Sequence, residues 1–396
     1  MTRRATNRRR VALVLELQWP YRRHVDVFLG TQRYARECGT WECVIDEYPL
    51  LKTSRTGSPA YDGIIARATG NLARQARRRG VPIVNVWHNS PASELLGVFP
   101  DFHSAGQVTA RHLLERGLRR FVCVMHPRNR THQVMFAGYR EVLRDAGYAC
   151  TSHALRSSDM TRSEATWQHY QEALSQWVGT WQRPIGVFVA FNDCTARYVV
   201  NACDRQGQRI PEDVALVVAD NDLPVCLQPP PTLTGLDLDY ERAGYDAARL
   251  LDQLMDGATP PKDAILVPGK GIHARQSTDF FATDDELVRE ALRFMAAHLQ
   301  EPLGVNDVAR GVATSRRTLE RRFQQIVGQP VYAEVRRLRI ERAKRLLLDT
   351  NQSVKQVALA AGFAGPVQLY QVFRRFVGLA PGEFRATGTR ETKSLS

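Results

Sequence analysis

A helix, tight turn and second helix are written twice near the C-terminal end of this chain, and that duplication most narrows what it can fold into. Residues 304–323 read GVNDVARGVATSRRTLERRF and residues 353–376 read SVKQVALAAGFAGPVQLYQVFRRF. Val308, Leu319, Phe323 and Gly328 return as Val357, Leu369, Phe373 and Gly378, offset by 49 residues before the turn and 50 after it. In the second helices, Leu319, Phe323, Ile326 and Val327, then Leu369, Val372, Phe373 and Phe376, recur at helical spacing. The spacing predicts one buried face and one free face. On the first copy the free face carries Arg316, Arg317, Glu320, Arg321 and Gln324. Paired helix-turn-helix units with such a face suggest a reader of double-stranded DNA.

Charge placement supports that reading. Of the net +13, five Arg lie in residues 1–10, and residues 284–396 hold 19 Lys and Arg against 12 Asp and Glu. The long middle is left nearly neutral. Phosphate neutralisation needs clustered cations, so the C-terminal part suits nucleic acid and the middle suits an uncharged ligand. A merely soluble basic surface is the alternative. The seven Cys contain no C-x-x-C pair, which indicates a reducing cytoplasm and no metal site. Residues 11–17 resemble a short apolar leader, but Glu16 interrupts the run and no cleavage site follows. They read better as a buried strand. No segment reaches the roughly 18 apolar residues of a membrane helix, so no membrane partner is expected.

From residue 11 onward, short apolar runs alternate with amphipathic segments. Strands are predicted at 11–17, 41–46, 63–66, 83–86, 120–125, 185–190 and 215–219. Helices are predicted at 23–37, 72–79, 104–116, 133–146, 165–178, 194–206 and 240–255. This alternation predicts parallel sheets covered on both faces, and its length favours two α/β lobes with a cleft between them. Ligands in such folds bind beyond the carboxyl ends of strands. Trp19, Pro20 and Tyr21, then Arg67, His88 with Asn89, His126, Asn192 with Asp193, and Asp220 with Asn221 fall there. Carboxylates and amides beside aromatic rings suit a sugar, whose hydroxyls donate while its C–H face stacks. Each residue also has a plainer reading. Asp193 and Asp220 would cap the helices that follow them, Trp19 and Tyr21 would pack between lobes, and His88 and His126 would be structural.

The segments GIIARATG, GVPIVNVWH, VFPDFHSAGQVTARHLLERGLRRFVCV, GYREVLRDAGY, VFVAFNDCTARYVVNACDRQGQRIPEDVALVVADND and AGYDAARLLDQLMDG resemble, in order, the LacI/GalR-type sugar-binding core. The resemblance spans residues 11–277. It implies a two-lobed, periplasmic-binding-protein-like α/β domain with crossovers near 112–118, 236–242 and 264–272. The candidate ligand residues are Trp19, Tyr21, Arg67, His126, Asp193, Arg197, Asp220 and Asn221, and no cofactor and no metal are expected. Residues 278–285 read as a polar linker.

Residues 286–387, followed by a tail at 388–396, resemble the AraC/XylS-type DNA-binding domain. Its A-x-x-x-G-F and F-x-x-x-x-G-x-x-P-x-x-[FY]-R spacings are both present. The resemblance implies an all-α domain with two helix-turn-helix units. They are joined by a helix over 332–348, roughly 25 Å long, which suits readers about 34 Å apart on DNA. Arg317, Glu320 and Arg321 fall at the base-facing positions of the first recognition helix, and Pro366, Val367, Gln368 and Gln371 at those of the second. Arg316, Arg374 and Arg375 fall to phosphates. A sugar-binding core before such a reader resembles the regulators of bacterial xylose operons. That order implies a cytoplasmic activator answering D-xylose or a related aldose, a homodimer, and contact with RNA polymerase if it activates. Another sugar with repressor or dual action, a secreted transport receptor and a DNA-modifying enzyme are the alternatives. Neither of the last two fits, because no leader, reactive Cys cluster, Walker loop, H-E-x-x-H or G-x-S-x-G is present.

Overall fold

The computed structural model describes residues 8–18, 22–50, 60–154, 163–279, 283 and 285–386, apart from the side chains of Asp193, Leu348 and Asp349. The first lobe is built from β1 (Arg9–Val14), α1 (Arg22–Cys38), β2 (Trp41–Ile45), β3 (Gly63–Ala66), α2 (Gly70–Arg79), β4 (Ile83–Asn85) and β5 (Val98–Pro100). The second follows with α3 (Phe102–Leu114), β6 (Phe121–Met125), α4 (Arg130–Asp145), β7 (Cys150–Ala154), α5 (Glu164–Gly179), β8 (Ile185–Val189), α6 (Asp193–Arg205), β9 (Val214–Val218), α7 (Leu223–Leu227) and β10 (Thr234–Asp237). The chain then returns to the first lobe for α8 (Tyr240–Met255) and β11 (Ile265–Val267), and closes the second with β12 (Gly271–His273) and a 3-10 turn, Gln276–Thr278.

The strands are continuous apolar runs because both faces of each sheet are covered. The first-lobe sheet runs β2-β1-β3-β4, the second β12-β10-β9-β8-β6-β7, with β11 and β5 paired separately. All pairings are parallel except β10 with β12. Strand carboxyl ends of both lobes therefore open on the same cleft.

The chain crosses between lobes near residues 100–102, 237–240 and 267–271, so the first crossover lies a helix earlier than expected at 112–118. The cause is packing. α3 belongs wholly to the second lobe, where it meets α4 so closely that a Cβ on Gly106 would lie 1.9 Å from the Met135 carbonyl oxygen. A Cβ on Gly138 would lie 2.1 Å from that of His103. Glycine at both positions lets the two backbones touch.

The reader domain comprises α9 (Glu286–Ala297), α10 (Val305–Gly311), α11 (Arg316–Val327), α12 (Val331–Asp349), α13 (Val354–Ala360) and α14 (Pro366–Phe376). The repeated residues do the same work in both copies. Val308, Leu319 and Phe323, like Val357, Leu369 and Phe373, are fully buried, and Gly328 and Gly378 take left-handed φ of 76° and 81° after their helices. Ile326 and Phe376 depart from the predicted apolar face, at 40% and 46% exposed. Ile326 instead faces a groove against Leu118 and Tyr148 of the second lobe, and Phe376 lies under the Arg336 guanidinium at 4.2 Å. α12 serves both cores: Val331, Val335 and Leu338 pack on the first unit, Ile340, Ala343 and Leu347 on the second. The segment expected to link as a polar hinge begins pinned. Thr278 is buried, its hydroxyl 2.9 Å from His112 Nε2 and 2.8 Å from that of Thr234.

Candidate ligand cleft and nucleic-acid interface

The carboxyl ends of the strands and the first turns of α1, α3 and α4 enclose a cavity between the lobes. The first lobe contributes Leu15, Arg23, His24, Arg67 and Trp87 to Asn89; the second contributes Phe102, Thr131, His132, Phe191 and Asp220; Tyr240 comes from the second crossover. Polar contacts bridge the rim. The Thr131 amide donates to Asn89 Oδ1 at 3.1 Å, His88 Nδ1 lies 3.2 Å from the Thr131 hydroxyl, and Arg130 donates to the Ser90 carbonyl oxygen at 3.2 Å. The two lobes are thus drawn together across the cleft.

Asp220 and Arg23 set its electrostatics. Burial pushes the Asp220 carboxyl up from its ordinary range, and Arg23 is the largest influence pulling it back. Arg23 also hydrogen-bonds the Tyr240 phenol, which burial pushes up to about 12. On the opposite wall Arg67 pairs with Glu16, a non-glycine residue at φ 51°, and lies over the Trp87 ring at 4.6 Å. Such an outlier beside a cleft marks a conformation held by its surroundings. The acids and guanidiniums are matched, and rings of Trp87, Phe102 and Phe191 stand between them. A neutral polyol fits this chemistry. Among the described residues no cluster suits a metal ion.

Three buried histidines carry a pH signature. Desolvation lowers His24 to about 4, His132 to about 3 and, at the far end of α3, His112 to about 2. Each is neutral when folded, whereas unfolded chain protonates near 6.5, so the unfolded state binds more protons below that value. Stability should therefore fall as pH drops from about 6.5 towards 4, by on the order of 1 kcal/mol per pH unit per histidine. Asp26, raised to about 6 by burial, opposes this in the same window. Asp220 and Glu47, raised by burial, act in the same sense as Asp26, whereas His88 and His153, lowered by burial, join the other three histidines. Five groups stand against three, and the expected result is a melting temperature lower at pH 5 than at pH 7, with a shallower slope for His132→Gln. A flat profile contradicts the neutral-histidine assignment.

Of the residues singled out in the sequence, Arg67, His88, Asn89 and Asp220 line the cavity. Asn221 and Asn192 line a second cavity that adjoins the first at Arg23, Asp220 and Tyr240, and the Asn221 Oδ1 accepts from Arg275 at 2.7 Å. His126 lies behind the wall, where its amide donates to His132 Nδ1 at 3.1 Å and its own Nδ1 accepts from the Arg128 amide. It orients His132. Arg197 is occupied by the carbonyl oxygens of Val225, Cys226 and Pro231, at 2.6 to 3.2 Å, which fixes the loop before β10. Asp193 is not the cap of α6; Asn192 is, accepting from the Thr195 amide at 2.9 Å. Nor does Asp220 cap a helix, since α7 starts after Asp222. Trp19, Pro20 and Tyr21 and the Asp193 side chain lie outside the described residues. Sequence reasoning missed Arg23, His24, Thr131, His132, Phe191 and Tyr240. Most belong to first helical turns, one step beyond the loops at the strand ends.

The second candidate surface is the exposed face of α11. Ser315 caps the helix by accepting from the Thr318 amide at 3.1 Å, and Arg316 pairs with Glu320 at 3.1 Å. Arg317 and Arg321 are exposed, and among the described residues neither has a carboxylate partner. α14 is different. Val367 is 70% exposed, Gln368 turns back so that its Oε1 accepts from the Ala364 amide at 2.8 Å, and Gln371 faces outward. Arg374 reaches Glu383 only at 3.7 Å. Guanidiniums project from the first helix, an apolar edge and an amide from the second.

Comparison with known proteins agrees with both halves. Residues 110–278 match the periplasmic binding protein-like domain, and residues 308–387 a helix-turn-helix domain. The xylose operon regulatory protein of Escherichia coli K12 is 26% identical over 388 residues, covering 96% of this chain and 97% of that one. A solved xylose-binding transcription activator, xylR, superposes with a TM-score of 0.65 at 24% identity, covering 96% of this chain and 98% of that one. A LacI family regulator from Enterococcus faecium with bound ribose matches 69% of this chain and 99% of its own, with a TM-score of 0.54 at 17% identity.

Proposed function

Because the chain joins a periplasmic-binding-protein-like domain to an AraC-type helix-turn-helix domain and is homologous to the Escherichia coli xylose operon regulatory protein, we propose that it is a sugar-responsive transcription regulator. D-xylose or a related aldose is its effector, and it activates genes for using that sugar. The observation that carries this reading is the cleft itself. Matched acid and guanidinium pairs, neutral imidazoles and aromatic faces meet there, on the same polypeptide as two DNA readers. Arg67, Asp220, Arg23, His88, His132 and Tyr240 take the hydroxyls, and Trp87, Phe102 and Phe191 take the C–H faces.

The sugar closes the lobes, and differential affinity for the closed form biases how the readers are held. The protein works in the cytoplasm as a homodimer on double-stranded DNA, engages RNA polymerase when it activates, and turns over no substrate. Calorimetric titration with a panel of pentoses and hexoses tests the effector. Tight binding of D-xylose or a close aldose is expected, and silence for every free sugar rejects the proposal. A turnover assay yielding products from D-xylose rejects its non-enzymatic part.

A further inference from the structure

Sensor and reader meet at a knot of charge that neither the cleft nor the DNA face uses. Asp279 follows the 3-10 turn that ends the sensor, and its carboxylate lies between two arginines of α12, Arg345 at 3.2 Å and Arg337 at 3.6 Å. The side chain is 17% exposed. Among the described residues its Oδ1 has no hydrogen-bond partner, because the Arg337 contact is too long to be one. Just before it, Arg116 donates from Nε to the Thr278 carbonyl oxygen at 2.6 Å and from its terminal nitrogen to the His112 carbonyl at 3.1 Å. The backbone at Thr278 is therefore fixed to the end of α3, while the next side chain is fixed to the reader.

Two acids of α12 stand at the same knot, and Glu334 shares Arg337 with Asp279. Glu334 accepts from Gln329 and from Arg337, at 2.6 Å in each case, and Glu341 accepts from Lys344 at 2.8 Å. Among the described residues that line the knot, Asp279 is the carboxylate on the sensor side. α3 connects this knot to the cleft. Its first residue, Phe102, lines the cavity; its last turn leads to Arg116, about 20 Å along the axis. Glycine contacts fuse it to α4, whose Thr131 and His132 line the same cavity. The helix pair thus runs from the cleft wall to the residues beside the Asp279–Arg337 contact, 3.6 Å long.

The geometry points to Asp279 as the positioning residue that couples the cleft to the reader: α3 sets its place, and its ion pairs with Arg337 and Arg345 set how firmly the sensor holds α12. The inference rests on the sugar-regulator reading, and its test separates the two. Asp279→Asn removes the charge with little change of volume, and Arg345→Met removes the same pair from the reader side. D-xylose affinity by calorimetry should stay as in the parent protein. DNA affinity, read by fluorescence anisotropy on a duplex selected by the parent, should change about fivefold or more with D-xylose in the parent, and by less than about twofold in both variants. A merely structural role lowers DNA affinity equally with and without sugar and keeps the ratio, which overturns the assignment. Small-angle scattering of the sugar-free chain gives a readout independent of the effector, with a larger radius of gyration expected in both variants. If the parent binds no D-xylose, the functional reading fails alone, and an unchanged radius overturns the coupling role.

Discussion

Asp220→Ala should weaken sugar binding about 100-fold while the protein stays folded. The carboxylate stands beyond the carboxyl end of β9, inside the cavity, where each oxygen can accept from a sugar hydroxyl. Hydrogen bonds to a charged acceptor contribute about 1.5–3 kcal/mol, and two of them exceed the loss a neutral contact would give. The substitution also removes the attraction between Asp220 and Arg23, which leaves Arg23 with its hydrogen bond to the Tyr240 phenol. Folding should not suffer. Burial holds Asp220 above its ordinary range, so above that raised value the charged form disfavours the folded state, and removing it leaves stability near pH 7 unchanged or higher. For the same reason the parent's sugar affinity should fall as pH drops through that raised value and the acceptor is lost. Calorimetry over a pH series, with a melting curve for each sample, checks both statements. Unchanged affinity in a folded variant would remove Asp220 from the site.

Much of this was legible in the residues, for a physical reason that also explains what was not. Runs such as GIIA and IGVFV are buried on both faces, so their strands could be placed within a residue or two, and helices with one apolar stripe followed. β5, β10 and β12 are only three or four residues long. They take their structure from neighbours already in place, which no local pattern records. α12 hid a different fact, since its apolar residues face two cores and a one-sided stripe describes neither.

The cleft divides in the same way. Strand ends predicted Arg67, His88, Asn89 and Asp220 because the fold rule concerns strand ends. His24 and His132 sit a turn into their helices, and Tyr240 follows a crossover; only the closing of two lobes makes them neighbours. Arg197 differs from them, because an Arg near a cleft is as readily a clamp for backbone carbonyls as a ligand for hydroxyls, and here it donates to carbonyls. The three-carbonyl clamp on the loop before β10 is a tertiary fact.

The reader allows a sharper test, because its two helices differ in what they offer. Arg317 and Arg321 stand a turn apart on α11 with no competing carboxylate among the described residues, whereas Arg316 is drawn to Glu320 at 3.1 Å. A bidentate Arg–guanine contact discriminates by about 1–3 kcal/mol, so Arg321→Ala should lose roughly 10- to 100-fold on the preferred site and much less on random duplex. Arg374, whose side chain is 69% exposed and weakly paired with Glu383, lies at the far end of α14. There it can meet a phosphate, and Arg374→Ala should weaken every sequence alike while reducing the salt slope by about one. The second helix should contribute less selectivity. Pro366 and Val367 offer only apolar contact, and Gln368 is held at the Ala364 amide, which leaves Gln371 as the one amide aimed outward for adenine. Selecting duplexes from a random pool with each variant gives the profile directly: relaxed preference at one half of the site for Arg321→Ala, and an unchanged preference at lower affinity for Arg374→Ala. If both variants lose the same factor on every sequence, the division into base and phosphate contacts is wrong, and α11 reads shape rather than bases.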